Sequence, residues 1–147
     1  MDIKAERIAA GMTQSTLAQA ASVPQPNLSA YENGRRSPSP EVLGRITAAL
    51  QKRPSFRVDH HRVDILSLLV QYHASHPRLI GSVARGEDRP DSDVDLLVDF
   101  SEDASFLDEV GLRRALTDLL RVNVDVVASD TLRGAQRDRM LKDAVPL

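Results

Sequence analysis

Two aspartates separated by a single residue are the part of the sequence best suited to chemistry. Asp93 and Asp95 stand at the start of a strand-like apolar run that extends to residue 100. Side chains two residues apart on a strand share a face, so the two carboxylates should project together. Carboxylates this close repel each other unless a cation lies between them. Their hard oxygen ligands, in a chain without cysteine, favour Mg²⁺ or Mn²⁺ over zinc.

A third aspartate lies inside a second strand-like segment. Asp125 stands between two valines in a β-branched run over residues 122–127, where burial of a charge without a partner is costly. Beside Asp93 and Asp95 it would act as a third metal ligand. A lone aspartate is more often part of an acidic turn or a solvated strand end, so this prediction depends on all three lying together.

Gly81 and Ser82 are candidates for the opposite side of the same site. Glycine lets a backbone approach a phosphate closely, and a strand-to-helix turn aims N–H groups and the Ser82 hydroxyl at a triphosphate. Arg85 can add positive charge against the polyphosphate. It can equally pair with Glu87 or Asp91, and the sequence leaves this choice open.

The spacing of these residues resembles the signature of polymerase-β-type nucleotidyltransferases. That signature is Gly-Ser, ten residues, then Asp-x-Asp, and here residues 83–92 are the ten. The wording Gly-Ser-Val-Ala-Arg-Gly-Glu at 81–87 and Ser-Asp-Val-Asp-Leu-Leu-Val at 92–98 is similar to the minimal branch of the family. The resemblance spans about residues 63–147.

This resemblance implies a two-metal nucleotidyl transfer with ATP as the donor. Asp93 and Asp95 would hold the metal of the triphosphate, and all three aspartates would hold the second metal. Asp125 is the expected acceptor of the proton from the attacking hydroxyl, and Gly81, Ser82 and Arg85 are the expected nucleotide-binding residues. A domain that keeps this fold without activity is the alternative.

The elements needed to position these residues can be predicted from hydrophobic periodicity. We expect helices over residues 63–72, 106–120 and 131–144, and strands over 78–80, 94–100 and 122–127. Together they predict a small α/β domain with a short mixed sheet.

The first fifty residues predict a different architecture, made of short helices. Thr13 and Ser39 are candidate N-caps, and Asn33-Gly34 is a typical helix end. The segments 13–20 and 24–34 resemble the helix-turn-helix of phage-repressor-like (XRE/Cro-type) regulators, with the resemblance covering about residues 2–50.

The chain departs from the regulator pattern in two places. Ser22 stands where glycine is common in the interhelical turn, and it would be strained if that position has positive φ. Pro24 and Pro26 open the recognition helix, where a first turn tolerates proline because its N–H groups have no helical partner.

The regulator resemblance also assigns expected DNA contacts. Gln25 and Asn27 become the predicted base readers, since amide side chains can bond adenine bidentately. Gln14, at a helix N-terminus, is expected to contact backbone phosphate, as are Arg35 and Arg36. These regulators usually bind palindromic operators as homodimers. The alternative for all five is an exposed polar residue without a DNA contact.

Composition and charge agree with two domains in one cytoplasmic protein. Residues 1–57 carry a net charge of +4 and residues 58–147 a net charge of −6, and a basic half attracts polyanions. Without cysteine the chain suits a reducing compartment. Neither a signal peptide nor a membrane span is expected, because the longest apolar stretch, near residues 65–70, is short.

We therefore predict an α+β chain with three parts. Residues 1–52 form an all-α helix-turn-helix DNA-binding domain, 53–57 a polar linker containing Pro54, and 58–147 the minimal nucleotidyltransferase domain.

The pairing of these two domains implies a function by association. Minimal nucleotidyltransferases often accompany HEPN-type RNase toxins, and the resemblance implies an antitoxin that transfers AMP to its toxin and represses its own operon. One alternative is a non-catalytic repressor that neutralises the toxin by binding it. Another is nucleotidyl transfer to RNA.

Overall fold

The computed structural model describes all residues from Met1 to Leu147. It divides the chain into two compact units, Met1–Lys52 and Arg53–Leu147. Each unit has a hydrophobic core of its own. None of the helices is long and apolar enough to cross a bilayer.

The first unit consists of four short helices. They are α1 (Ile3–Ala9), α2 (Gln14–Ala20), α3 (Gln25–Glu32) and α4 (Pro40–Ala49). Thr13 and Ser39 accept backbone N–H bonds at the starts of α2 and α4, as expected for N-caps. The core closes around the fully buried side chains of Leu17, Leu28 and Ile46.

The turn between α2 and α3 contains the positive φ angle that would strain a serine at this position. Ser22 has φ +54°, in the left-handed region that favours glycine. Arg45 of α4 supports this turn, because its Nε donates to the Ala21 carbonyl over 2.9 Å and its Nη2 to the Ser22 carbonyl over 3.4 Å. Pro24 is the N-cap of α3 and Pro26 its second residue, so neither proline removes a helical hydrogen bond.

The second unit contains a four-stranded mixed sheet. Its strands are β1 (Ala74–Ile80), β2 (Val94–Phe100), β3 (Val124–Ala128) and β4 (Val145–Pro146), in the order β3-β2-β1-β4. The β2–β3 pair is parallel, whereas β1 is antiparallel to both β2 and β4. This is the predicted short mixed sheet.

Helices cover the sheet and connect its strands. They are α5 (Pro54–His60), α6 (Arg62–Gln71), α7 (Gly81–Ala84), α8 (Phe106–Leu120) and α9 (Gly134–Lys142), with a 3-10 turn at Ser129–Thr131. The larger core joins α6 and α8 to one sheet face through Val94, Leu96 and Val98. A smaller cluster of Ile80, Leu97 and Leu132 covers the opposite face, which also carries Asp95 because of the alternation along β2.

The prediction of a linker over residues 53–57 was wrong, because most of this segment belongs to helix α5. Pro54 is the first residue of α5, a position that proline favours because its missing N–H is not needed there. Pro54, Arg57 and Val58 are buried, and Arg57 Nη1 donates to the Leu120 carbonyl over 3.0 Å. The polar composition of this segment therefore belongs to a packed helix of the second unit.

Candidate functional site

The parallel register of β2 and β3 brings two of the predicted aspartates side by side. Asp95 and Asp125 are Cα partners in the ladder, so their side chains leave the same face of the sheet. Asp93 lies immediately before β2, two residues from Asp95. The sequence predicted all three on neighbouring strands. The structure pairs Asp95 with Asp125, and Asp93 is close enough to Asp95 for its charge to act on that carboxyl.

The electrostatics of Asp95 reflect this crowding. Burial raises the pKa of the Asp95 carboxyl, and the negative charges of Asp125 and Asp93 raise it further. The folded chain thus penalises the charged form of Asp95. A cation among the three carboxylates would remove that penalty.

Gly81 lies directly against Asp95. It has φ +72°, and a Cβ atom built on it would stand 2.7 Å from Asp95 Oδ2. Glycine is needed here for its backbone conformation and for the space its missing side chain leaves to the carboxylate. The sequence suggested close approach of a phosphate at this position, and the structure adds close approach of a candidate metal ligand.

The neighbouring helix α7 carries the other two predicted nucleotide-binding residues. Ser82 is its second residue and is partly exposed. Arg85 follows the helix, and its Nε lies 3.1 Å from Glu87 Oε2. Of the two partners left open for Arg85, the structure contains the Glu87 pair.

Asp125 is paired with an arginine that the sequence did not single out. Arg113 Nη2 of α8 lies 3.1 Å from Asp125 Oδ1 and 3.3 Å from the Val126 carbonyl oxygen. No three acidic or histidine side chains of the chain are closed into a set of metal ligands. The donors fit a hard divalent cation in chemical type and number, and they lie on one sheet face. Arg113 engages one of the two carboxylate oxygens of Asp125.

Asp88 is a second residue that no sequence pattern singles out. Its side chain is fully buried, and it accepts the Ser55 N–H over 2.8 Å and Arg53 Nη2 over 2.9 Å. Burial raises its pKa, but the bonds from Ser55 and Arg53 outweigh burial, and the pKa is lowered from 3.8. Asp88 ties the loop between α7 and β2, which leads into Asp93, to the start of α5. Nothing in sequence separates it from its acidic neighbours Glu87 and Asp91.

In the first unit, the predicted phosphate-contacting residue Gln14 is already engaged. It is the first residue of α2, and its amide donates to Glu32 Oε1 over 3.1 Å. Glu32 also accepts two bonds from Arg7, at 2.7 and 3.0 Å. Burial raises the pKa of Glu32, but hydrogen bonds from Arg7 and Gln14 lower it overall. This network fixes the start of α2 against the end of α3.

The other predicted DNA contacts lie on or just after α3. Gln25 is exposed at its first position, and Asn27 is half-buried two residues later. Arg35 and Arg36 are exposed in the turn that follows the helix. Their positions leave Gln25, Arg35 and Arg36 accessible to a large ligand, whereas their contacts with DNA remain predictions.

Family models match both halves of the chain. A helix-turn-helix model matches residues 3–56, and a nucleotidyltransferase-domain model matches residues 78–146. These matches coincide with the helical unit and with the part of the second unit that carries the aspartates.

Curated relatives match the second half. The chain is 36% identical over 81 residues to MJ0435 of Methanocaldococcus jannaschii, which is assigned as a protein adenylyltransferase. The alignment covers 55% of this chain and 87% of that protein. It is 40% identical over 67 residues to protein adenylyltransferase MntA of Thermococcus cleftensis, covering 46% and 68%.

Two solved structures are similar to the second half. One is described as a minimal nucleotidyltransferase, with 43% identity, a TM-score of 0.58, and coverage of 63% of this chain and 95% of that one. The other is a toxin–antitoxin crystal structure with AMP-PNP, with 20% identity, a TM-score of 0.51, and coverage of 57% and 69%. At that identity the second likeness concerns the fold.

Proposed function

The chain belongs to the minimal nucleotidyltransferase family and carries a helix-turn-helix domain at its N-terminus, and we propose that it transfers AMP from ATP to a partner protein and represses its own operon. The partner would be a cognate toxin, of HEPN type by the resemblance given above. The chain would then be both an antitoxin and an autoregulator.

The observation that carries the catalytic part is the pairing of Asp95 with Asp125 in the β2–β3 ladder. Asp93 lies two residues from Asp95, immediately before β2, so a site built on this pairing would draw on three carboxylates. The raised pKa of Asp95 supports a site that requires positive charge. The adenylyltransferase names of the relatives support AMP as the transferred group.

Each residue of the proposed site would have a separate role in the transfer. Asp93, Asp95 and Asp125 would hold Mg²⁺, which supplies charge neutralisation and a lowered pKa of the attacking hydroxyl. Asp125 would accept the proton of that hydroxyl. A bond forms between the acceptor oxygen and the α-phosphorus, the bond to the β-phosphate oxygen breaks, and pyrophosphate leaves. Gly81 and Ser82 would orient the triphosphate.

A transfer assay tests this proposal. Purified protein is incubated with Mg²⁺, ATP labelled on the α-phosphate, and the candidate toxin. We expect label on the toxin, lost by at least about 100-fold in Asp93→Ala/Asp95→Ala. Asp91→Ala, an exposed carboxylate of the same loop, is the matched control and should transfer normally. A toxin that stays unlabelled, with label on added RNA instead, would contradict the protein acceptor.

The Arg113–Asp125 pair favours one competing function. Because the three carboxylates are not closed into a ligand set, the second unit can alternatively serve as a toxin-binding module without catalysis. Undiminished neutralisation of the toxin by Asp93→Ala/Asp95→Ala would support that function. Loss of neutralisation by a folded double variant that still binds the toxin would exclude it.

The DNA-binding part of the proposal rests on the first unit. An exposed Gln25 at the start of α3 and exposed Arg35 and Arg36 after it suit a helix that reads base edges while arginines bind phosphate. We expect a homodimer to retain its own promoter fragment in a gel-shift assay at low salt. Equal retention of a scrambled fragment would contradict operator recognition.

A further inference from the structure

Arg113 holds the third carboxylate of the site by two contacts to β3. Its Nη2 bonds Asp125 Oδ1 and the Val126 carbonyl oxygen. The guanidinium thereby lies at the end of the sheet where Asp95 and Asp125 stand side by side. A positive side chain thus already compensates one of the three carboxylates.

The compensation stops at Asp125. Asp95 stands beside Asp125 in the β2–β3 ladder and two residues from Asp93, so its charged neighbours there are both carboxylates. An arginine bonded to Asp125 and a cation shared by all three aspartates would therefore compete for the same carboxylate.

We propose that Arg113 is a positioning residue that occupies Asp125 in the metal-free protein and sets the metal affinity of the site. Metal binding exchanges the Arg113–Asp125 ion pair for coordination of Asp125 by the cation. This inference rests on the proposed metal-dependent function and specifies what opposes metal binding there.

Exposure makes this exchange feasible. The side chain of Arg113 is 48% exposed and that of Asp125 is 54% exposed. Ion pairs this open to solvent are weak, so a divalent cation can displace the guanidinium. Water can then solvate the released arginine on the surface of α8.

Direct Mn²⁺ titration tests the proposal without nucleotide or acceptor. Free Mn²⁺ is followed by electron paramagnetic resonance in the full-length protein. Removing Arg113 removes the competitor, so we expect Arg113→Gln to bind Mn²⁺ about two- to five-fold more tightly than the natural protein, the range set by a solvent-exposed ion pair. A residue with only a structural role would weaken binding when replaced.

Three further variants separate the pair from general charge effects. Arg114→Gln removes the same charge from an exposed neighbour on α8 and should change the affinity less. Arg113→Lys keeps a cation beside Asp125 and should return the affinity toward that of the natural protein. In an Asp125→Asn background, Arg113→Gln should have no further effect.

The Mn²⁺ affinities of these variants decide between the possible roles of Arg113. Tighter Mn²⁺ binding by Arg113→Gln that disappears in the Asp125→Asn background supports the proposal. Unchanged or weaker binding by a folded Arg113→Gln, while the natural protein binds Mn²⁺, overturns it and leaves the proposed transfer function standing. Failure of every variant to bind Mn²⁺ overturns it together with the metal-dependent function.

Discussion

The carboxylate of Asp95 is the least favourable charge in the proposed site. It is partly buried beside Asp125 and Asp93, and Gly81, the first residue of α7, lies directly against it. Proteins keep such an arrangement where a cation or a reaction needs it. The free-energy cost of the charged Asp95 carboxylate should therefore be measurable as lost stability in the metal-free protein.

Replacing this charge should stabilise the metal-free fold. We expect Asp95→Asn to raise the free energy of unfolding in EDTA by about 0.5 kcal/mol at pH 7, since like charges on paired strand positions are destabilising. The same variant should lose AMP transfer. Thermal or urea unfolding measures the first effect. A variant that is less stable than the natural protein would show that Asp95 is already compensated.

The sign of the pH dependence follows from the raised pKa. Folded Asp95 holds its proton at a pH where the unfolded chain, with an ordinary value near 3.8, has released it. Its penalty is therefore complete above the folded pKa and disappears as pH falls through that value toward 3.8. The stability difference between Asp95→Asn and the natural protein should shrink on acidification.

Gly81 is constrained both by its positive φ and by its contact with the Asp95 carboxylate. A comparison with Gly86 separates the two constraints. Gly81→Ala should cost about 1 kcal/mol through its positive φ and should also displace the Asp95 carboxylate, weakening Mn²⁺ binding. Gly86 has a similar φ, +70°, with open space around it. Gly86→Ala should therefore cost similar stability while leaving Mn²⁺ binding unchanged. Equal Mn²⁺ affinities in the two variants would refute the contact argument.

At the scale of elements, the sequence predicts those helices and strands whose limits are set by local hydrophobic periodicity. The predicted limits of β2 and α8 agree with the structure because each is a continuous patterned run bounded by polar residues. The placement of Asp125 on a strand next to that of Asp95 was predicted from strand assignment and family resemblance, whereas the register that pairs the two residues comes from the structure. The first predicted strand, at 78–80, was too short, since β1 begins at Ala74, and the last helix, at 131–144, was too long.

Long-range contacts determine the elements that were missed. β4 has two residues and exists through its pairing with Arg78 and Leu79 of β1. The start of α5 depends on Asp88, which is 33 residues away from Ser55. The Arg113–Asp125 pair joins a helix to a strand. Such contacts leave no periodic signal in the sequence, so only the fold reveals them.

Asp88 connects one such element to the site. Asp88→Ala would leave the Ser55 N–H and the Arg53 guanidinium without their acceptor, and we expect a loss of about 2 kcal/mol in unfolding free energy. Asp91→Ala, in the same loop but exposed, should cost little. Denaturant unfolding near neutral pH measures both. Equal losses would show that the buried contacts contribute nothing.

The pH dependence of this contribution has the opposite sign to that of Asp95. Because the folded pKa of Asp88 is lowered, its stabilisation is present above the ordinary value of 3.8 and is lost as pH falls through the folded pKa.

The strained turn of the first unit offers a stabilising substitution. Ser22→Gly should raise the free energy of unfolding by about 1 kcal/mol, because glycine adopts positive φ without the steric cost that serine incurs. Ser15→Gly, in helix α2, should instead destabilise by about 0.5 kcal/mol. Thermal unfolding of both variants checks the pair. Destabilisation by Ser22→Gly would mean that the serine side chain stabilises the turn.

At the scale of the whole molecule, charge and packing divide in the same way. The helical half is basic and the half with the three aspartates is acidic. Each unit closes its own core. The proposed DNA-binding surface would therefore lie in the basic half and the proposed metal site in the acidic half, each on a unit with its own core.

Independent cores make the two proposed activities separable by mutation. Arg35→Ala/Arg36→Ala should weaken operator binding and lower the slope of log K against log salt by about two, roughly one for each lost phosphate contact, with AMP transfer unchanged. Asp93→Ala/Asp95→Ala should abolish transfer with operator affinity unchanged, since each proposed site lies in a unit that has its own core. Salt-dependent gel shifts and transfer assays on both variants test this. Loss of both activities in either folded variant would show that the DNA-binding and catalytic functions are coupled.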